Sequence, residues 1–385
     1  MPPKLLPIDM DYVQEIMVHL LRTPSPSGRT DAVMQFIGDE IKRLGMPFVL
    51  TRRGVLQAEL AGEAGAATAD RAVVVHADTI GCMVCRLKEN GRLEVVPIGT
   101  HSSRFAEGAR VTIFVDDLET TYSGTILPLK ASGHRYGDEV DTQPVGWDHV
   151  EVRIDEQVST AADVAALGIH VGDFVAFEAH PSITPSGYVR SRHLDDKAGI
   201  AGALGAFKAL IDHGIRPPVN AHLVVTIAEE VGLGASSGLD ADMAEMLSID
   251  TAVVAPGQTS TEHTVNISMG DSTGPFDYHL ARRLLHLCRE HEIDHRRDVY
   301  GHYRSDAASA LEAGAETRAV LIGFGIDASH GWERTHLDGI RRMAELVAVY
   351  LQTDLTFEAW DASRTGILED FPSTSVQPAE EQPPV

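Results

Sequence analysis

Apolar residues recur at helical spacing between Ile8 and Leu21, at Tyr12, Val13, Ile16, Met17, Leu20 and Leu21, and the stripe stops before Pro24. The pattern predicts a helix there, then a loop at Ser25-Pro26-Ser27-Gly28. A second helix follows, capped by Thr30 or Asp31, with Val33, Phe36, Ile37, Ile41 and Leu44 on its buried face and Gly45 as its stop. The period then changes. Val55 to Leu60 and Ala72 to Val75 read as strands, the second apolar without alternation, as in a strand covered on both faces.

From about Arg86 to about Thr184, short strands alternate with Gly, Pro and Asp turns. They include Arg92 to Pro97, Ala109 to Val115, Tyr122 to Leu127 and Phe174 to Glu178. That texture predicts a small β-barrel or sandwich inserted into an α/β domain. Beyond it, Gly187 to Arg190 reads as a strand and Lys197 to Leu210 as a helix. Gly199, Gly202 and Gly205 fall at every third position of that helix, which lets it lie close against a sheet. Ala221 to Ala228, Thr251 to Ala255, Thr264 to Met269 and Arg318 to Gly323 read as strands. Pro275 to Glu290, Asp306 to Ala313 and Leu337 to Leu351 read as helices.

The division that follows is 1–85 and 185–355 as two parts of one α/β domain, 86–184 as the inserted β domain, and 356–385 as a disordered, proline-rich tail. Composition narrows the partners. With 32 Lys and Arg against 56 Asp and Glu, the net charge of −24 argues against nucleic acid or an anionic membrane. No apolar run approaches the length of a membrane span, and Met1 to Met10 has no apolar signal core, so the cytoplasm is expected. The three cysteines cannot make a disulfide framework; Cys82-x-x-Cys85 lacks a second pair and lies in an apolar strand-like stretch, as buried thiols do.

Candidate chemistry gathers at element ends. Asp195 and Asp196 stand where a strand gives way to a helix; a carboxylate with two oxygens can bridge two divalent cations, although Asp also serves as a plain helix cap. His76-Ala77-Asp78 ends a buried strand, where ligands bind in open α/β sheets. Glu229-Glu230 ends another. That pair is either a solvated rim or a division of labour between a metal ligand and a base. His330 lies in the loop after Arg318 to Gly323.

His76-Ala77-Asp78, Leu194-Asp195-Asp196-Lys197, Glu229-Glu230-Val231-Gly232 and His330 occur in the order found in dinuclear zinc aminopeptidases. Over residues 10 to 352 the chain resembles the TET-type glutamyl and deblocking aminopeptidases. Supporting stretches are Pro26-Ser27-Gly28, Leu167 to Asp173, and Ser305-Asp306-Ala307, 24 residues before His330 (330 minus 306). The resemblance implies a mixed-sheet zinc-peptidase domain with helices on both faces and an inserted β-barrel-like domain used for oligomerisation. It also implies a cytoplasmic homo-oligomer, from dimer to dodecamer, acting on a peptide or small amide.

By position, His76 would bind the first of two divalent metals (zinc, cobalt or manganese), and Asp78 would hold its imidazole. Asp195 would bridge both metals through a strained, cis link to Asp196. Glu230 and His330 would complete the second site, with His336 as the fallback ligand, and Glu229 would be the general base. The family's remaining aspartate aligns with Val253 here, which cannot bind zinc. Asp250, three positions away on a strand, would face the opposite side, leaving Glu262 or His263 as replacements. Val254 to Gln258 and Ser329 to His336 also resemble a subgroup linked to the osmolyte N-acetylglutaminylglutamine amide. With the ligand at 253 missing, two alternatives to an aminopeptidase stand: an amidohydrolase or deacylase on a blocked dipeptide amide, and a metal-poor scaffold without catalysis.

Overall fold

The computed structural model describes residues 2–64, 69–117, 119–240 and 242–357. Its centre is a nine-stranded mixed sheet. In order across it run Phe48–Leu50, Leu56–Leu60, Ala221–Thr226, Asp70–His76, Met243–Val253, Arg318–Ile326, Val265–Asp271 and Gly274–Pro275, with His295–Val299 beside Val265–Asp271. The four central strands, Ala221–Thr226, Asp70–His76, Met243–Val253 and Arg318–Ile326, are mutually parallel, so their carboxyl ends open on one edge. Buried on both faces, they carry the unbroken apolar runs seen in Ala72 to Val75 and Leu223 to Val225.

One sequence expectation fails here with consequences. The strand expected at Thr251 to Ala255 begins at Met243 and ends at Val253. Ser248 pairs with Val74, so two steps further along the parallel strands Asp250 stands level with His76.

The helix Leu194–Asp212 is buried nearly all round. Its glycines were expected to bring it against the sheet, but two of them receive neighbouring helices instead. A Cβ on Gly202 would meet Met343 at 2.4 Å, and one on Gly205 would meet Val13 at 2.6 Å. Gly199 leaves room for the Asp196 carboxylate, which a Cβ there would overlap at 1.9 Å. The helices Met10–Arg22 and Leu337–Leu351 thus seat on small residues of the central one.

At the amino ends of two central strands lies a buried ion pair. Arg71 donates to Glu245 at 2.9 Å and to the carbonyls of Tyr350, Thr353 and Asp354 at 2.8, 2.8 and 3.0 Å. Tyr350 Oη donates to the same Glu245 carboxylate at 2.7 Å. The network ties the final helix, Leu337–Leu351, to the sheet.

A second unit is a closed six-stranded barrel of Gly81–Leu87, Leu93–Ile98, Val150–Ile154, Thr121–Pro128, Arg110–Phe114 and Phe174–Phe177. It has its own core, including Val84, Val95, Val111, Ile126 and Val152. Its first strand opens at Gly81, before the change of texture at Arg86. Cys82 and Cys85 lie on that strand as free thiols. Three positions apart on a strand they face opposite sides, so Cys82 is buried while Cys85 is only partly so. No described helix is long and apolar enough to cross a membrane. From residue 358 on, the tail lies outside the described residues.

Candidate active site

The carboxyl ends of the parallel strands bring His76, Asp195, Glu229, Glu230 and His330 together. They also add Asp250. Thr226 pairs with His76 across adjacent strands, and the chain continues through a short turn to Glu229 and Glu230. Two groups result, each with a histidine and two carboxyls whose candidate ligand atoms lie within 4.8 Å of one another: His76, Glu229 and Asp250, and Asp195, Glu230 and His330.

Asp195 joins the groups. Its Oδ1 lies 3.1 Å from His76 Nε2 and its Oδ2 3.4 Å from His330 Nε2. Glu230 Oε2 is 3.4 Å from the same His330 nitrogen, and Asp250 Oδ2 is 3.9 Å from His76 Nε2. The Asp195–Asp196 peptide is cis.

Asp78 clamps two elements at once. Its backbone carbonyl accepts from His76 Nδ1 at 3.0 Å, which leaves Nε2 free to face Asp195. Its fully buried carboxylate accepts the backbone amides of Glu229 and Glu230 at 3.1 and 3.3 Å and the Ser27 hydroxyl at 2.5 Å. The Ser27 of the Pro26-Ser27-Gly28 loop is thereby joined to the site.

Three groups have a positioning role that was not read from the sequence, although Asp306 stood in one of the supporting stretches. Glu333 accepts the backbone amides of Asp195 at 3.3 Å and of His330 at 2.9 Å, so one carboxylate holds both segments. Thr100, in the barrel loop, accepts His330 Nδ1 at 2.9 Å and turns Nε2 toward Asp195 and Glu230. Asp306 accepts Thr226 Oγ1 and the Ala235 amide, both at 2.6 Å, bracing the turn that carries the two glutamates; Gly234 has no room for a Cβ beside it. The sequence signal for Glu333 was its place in the His330 loop; a backbone carbonyl such as that of Thr100 leaves none.

Burial dominates the electrostatics. It opposes charge on Asp195, yet hydrogen bonds from His330 and His76 hold that carboxyl well below the usual range. The neighbours pay for this arrangement: burial, followed by the Asp195 charge, pushes Asp250 up to about 8 and Glu333 up to about 8. Burial pushes Glu230 to about 8 against the opposing pull of His330, and raises Glu229 well above its usual value. Among the described residues, the ion pairs of Asp195, Glu230 and Asp250 are to histidine alone. Buried carboxyls thus outnumber the imidazoles with no lysine or arginine to neutralise them. This is the donor set and charge surplus that divalent cations fit.

Several expectations are corrected. Asp250, set aside as facing away, faces His76. Residues three apart on a strand do face opposite ways, and it is Val253 that points elsewhere. A carboxyl therefore stands beside His76 without one at 253. Glu262 is taken up by Arg334, at 2.8 and 2.9 Å. His336, the fallback, caps the helix Leu337–Leu351 by accepting the Asp338 amide at 3.0 Å and belongs with His263, apart from this site.

Two histidines linked through one carboxylate at the open edge of a mixed α/β sheet make a site, and sequence comparison gives the family that carries it. The M42 glutamyl aminopeptidase model matches residues 54–346, and the chain belongs to that family; it is a peptidase. Bacillus subtilis (strain 168) has a relative, named "Putative aminopeptidase YhfE", that is 36% identical over 341 residues, 89% of this chain and 97% of that one. Aminopeptidase APDkam598 from Desulfurococcus kamchatkensis shares the fold with a TM-score of 0.82 at 22% identity, over 93% of this chain and 99% of that one. The TET1 peptidase of Pyrococcus horikoshii, described as able to assemble into a tetrahedron or a large octahedral shell, shares it with a TM-score of 0.77 at 22% identity, over 88% of this chain and 99% of that one.

Proposed function

We propose that the chain is a metal-dependent aminopeptidase that removes N-terminal residues from peptides, with Glu229 as general base. The observation that carries this reading is Asp195, whose two oxygens face two different histidines, each set among further carboxyls. His76, Asp250 and Asp195 would hold one divalent cation; Asp195, Glu230 and His330 would hold the other. Such cations, when bound, polarise a scissile carbonyl and lower the pKa of water.

The chain's own residues do the rest. Glu229 belongs to the His76 group without pairing to a lysine or arginine among the described residues, so its carboxylate can take a proton from the attacking water and return it to the leaving amine. Asp78 fixes the position of both Glu229 and the His76 ring. Glu333 and Thr100 fix His330, the second through the barrel.

The scaffold reading drew its motive from a missing ligand at Val253, and Asp250 stands beside His76 in its place; the blocked-amide reading keeps only the resemblance of Val254 to Gln258 and Ser329 to His336 to the osmolyte-linked subgroup. Zinc, cobalt and manganese all suit this donor set. Assembly into a homo-oligomer, with the barrel contributing contacts, belongs to the same proposal; light scattering on the purified chain reads its mass. The test of function is hydrolysis of an unblocked aminoacyl chromogenic amide. It should be abolished by chelator, restored by added cation, and lost in Glu229→Gln. Turnover that survives both treatments overturns the reading.

A further inference from the structure

A third group with metal-ligating side chains lies outside the catalytic cluster, where the strands Tyr188–Ser191 and Glu333–His336 pair with each other. His263, His336 and Asp338 place candidate ligand atoms within 4.8 Å of one another. Asp338 Oδ2 lies 3.3 Å from His336 Nδ1 and 3.8 Å from His263 Nδ1. The opposite nitrogens are already held. His336 Nε2 lies 2.7 Å from the Ser186 carbonyl, an acceptor only, so that nitrogen carries the proton and Nδ1 keeps its lone pair. His263 Nε2 lies 3.3 Å from the Tyr188 hydroxyl.

An imidazole anchored through one nitrogen and aimed through the other is how ligating histidines are oriented. The backbone is shaped around one of these rings: Gly187 has a φ of +91°, and a Cβ there would sit 2.6 Å from His336 Nε2. We propose that His263 Nδ1, His336 Nδ1 and Asp338 Oδ2 form a surface site for one borderline divalent cation such as Zn²⁺, completed by water, that staples the His263 loop to the paired strands. Two histidines and a carboxylate select a borderline cation over Mg²⁺ or Ca²⁺.

Binding has a local cost. The Asp338 amide, which donates to His336 Nδ1 at 3.0 Å, holds the lone pair the cation needs, so the first turn of Leu337–Leu351 must shift for the cation to bind, and Asp338 also answers Arg341 at 2.5 Å. The site therefore exchanges its cation more readily than the buried catalytic groups would. Its position matters to them. Tyr188–Ser191 leads into Asp195, and Glu333–His336 begins at the carboxylate that holds His330.

This proposal goes beyond the catalytic reading and is tested independently of it. The full chain, stripped with chelator and dialysed against excess Zn²⁺, is assayed for zinc per chain beside His263→Ala and Asp338→Asn. The catalytic groups are unchanged in both variants, so their share cancels in the difference. Each variant should hold one zinc fewer per chain than the unaltered protein, with an unchanged rate on an aminoacyl amide and a smaller rise in melting temperature on zinc addition. Equal zinc content and an equal rise in melting temperature in all three proteins overturn the proposal.

Discussion

The strands Asp70–His76 and Met243–Val253 carry a buried charged cluster at each end, and the two clusters are built on opposite plans. At the amino ends, Arg71 and Glu245 meet in a network where the guanidinium finds a carboxylate and three carbonyls, and the carboxylate finds Arg71, Tyr350 and the Thr356 amide. Burial is offset from within the chain, and Glu245 stays below the usual carboxylate range despite it. At the carboxyl ends, His76 and His330 face Asp195, Glu229, Glu230 and Asp250, and burial drives most of those carboxyls upward. Charge that the protein balances itself is structure. Charge left in surplus, in carboxyls and imidazoles aimed at common points, is a place for something else to bind.

The largest effect should come from Glu229→Gln. It keeps the shape of the side chain and removes the proton acceptor, so the rate on an aminoacyl amide should fall by about 10²- to 10⁴-fold, with the melting temperature unaltered. The second change breaks the opposite end. Glu245→Ala leaves Arg71 buried without its partner and should cost about 3–5 kcal/mol in urea unfolding, while activity per folded molecule persists. Asp250→Asn sharpens the contrast, because in chelator-stripped protein it relieves a crowded carboxyl and should not destabilise the chain.

Glu333→Gln should lie between. It weakens the acceptor shared by the Asp195 and His330 amides, and loss of such a supporting contact lowers metal affinity or rate by about 10- to 100-fold. The smallest effect should be that of Val253→Asp. With Asp250 already beside His76, a carboxylate at 253 should change neither metal content nor rate.

The fold and most of the cluster were legible because their signals are local. Unbroken apolar runs marked the parallel strands, and the chemistry sat at or shortly past their ends, His76 closing Asp70–His76, Glu229 and Glu230 following Thr226, and His330 following Ile326. The change to short strands and turns between Arg86 and Thr184 marked the barrel. Asp250 was lost because the strand carrying it runs from Met243, and its polar members, Glu245, Ser248 and Asp250, break the apolar pattern that delimits a strand in sequence. Glu245 is buried to meet Arg71 and Asp250 to meet His76. Likeness to the family's pattern put the expected ligand at Val253, three positions past Asp250 on the same strand. Glu333–His336 read as loop because its pairing to Tyr188–Ser191 is set by a contact nearly 150 residues away. The hold of Thr100 on His330 depends on a carbonyl, which every residue has. It became visible only when the barrel loop and the His330 loop stood side by side.

The central claim is that the surplus carboxyls exist to hold two catalytic cations, and titration of the chelator-stripped chain with zinc or cobalt tests it most directly, with bound metal and aminopeptidase rate read on the same samples. The account predicts no rate without metal and a rate that rises with the first two equivalents per chain; in Asp250→Asn it predicts one tight equivalent fewer and a lost rate. Full activity in the stripped chain, or a rate indifferent to occupancy, would contradict it.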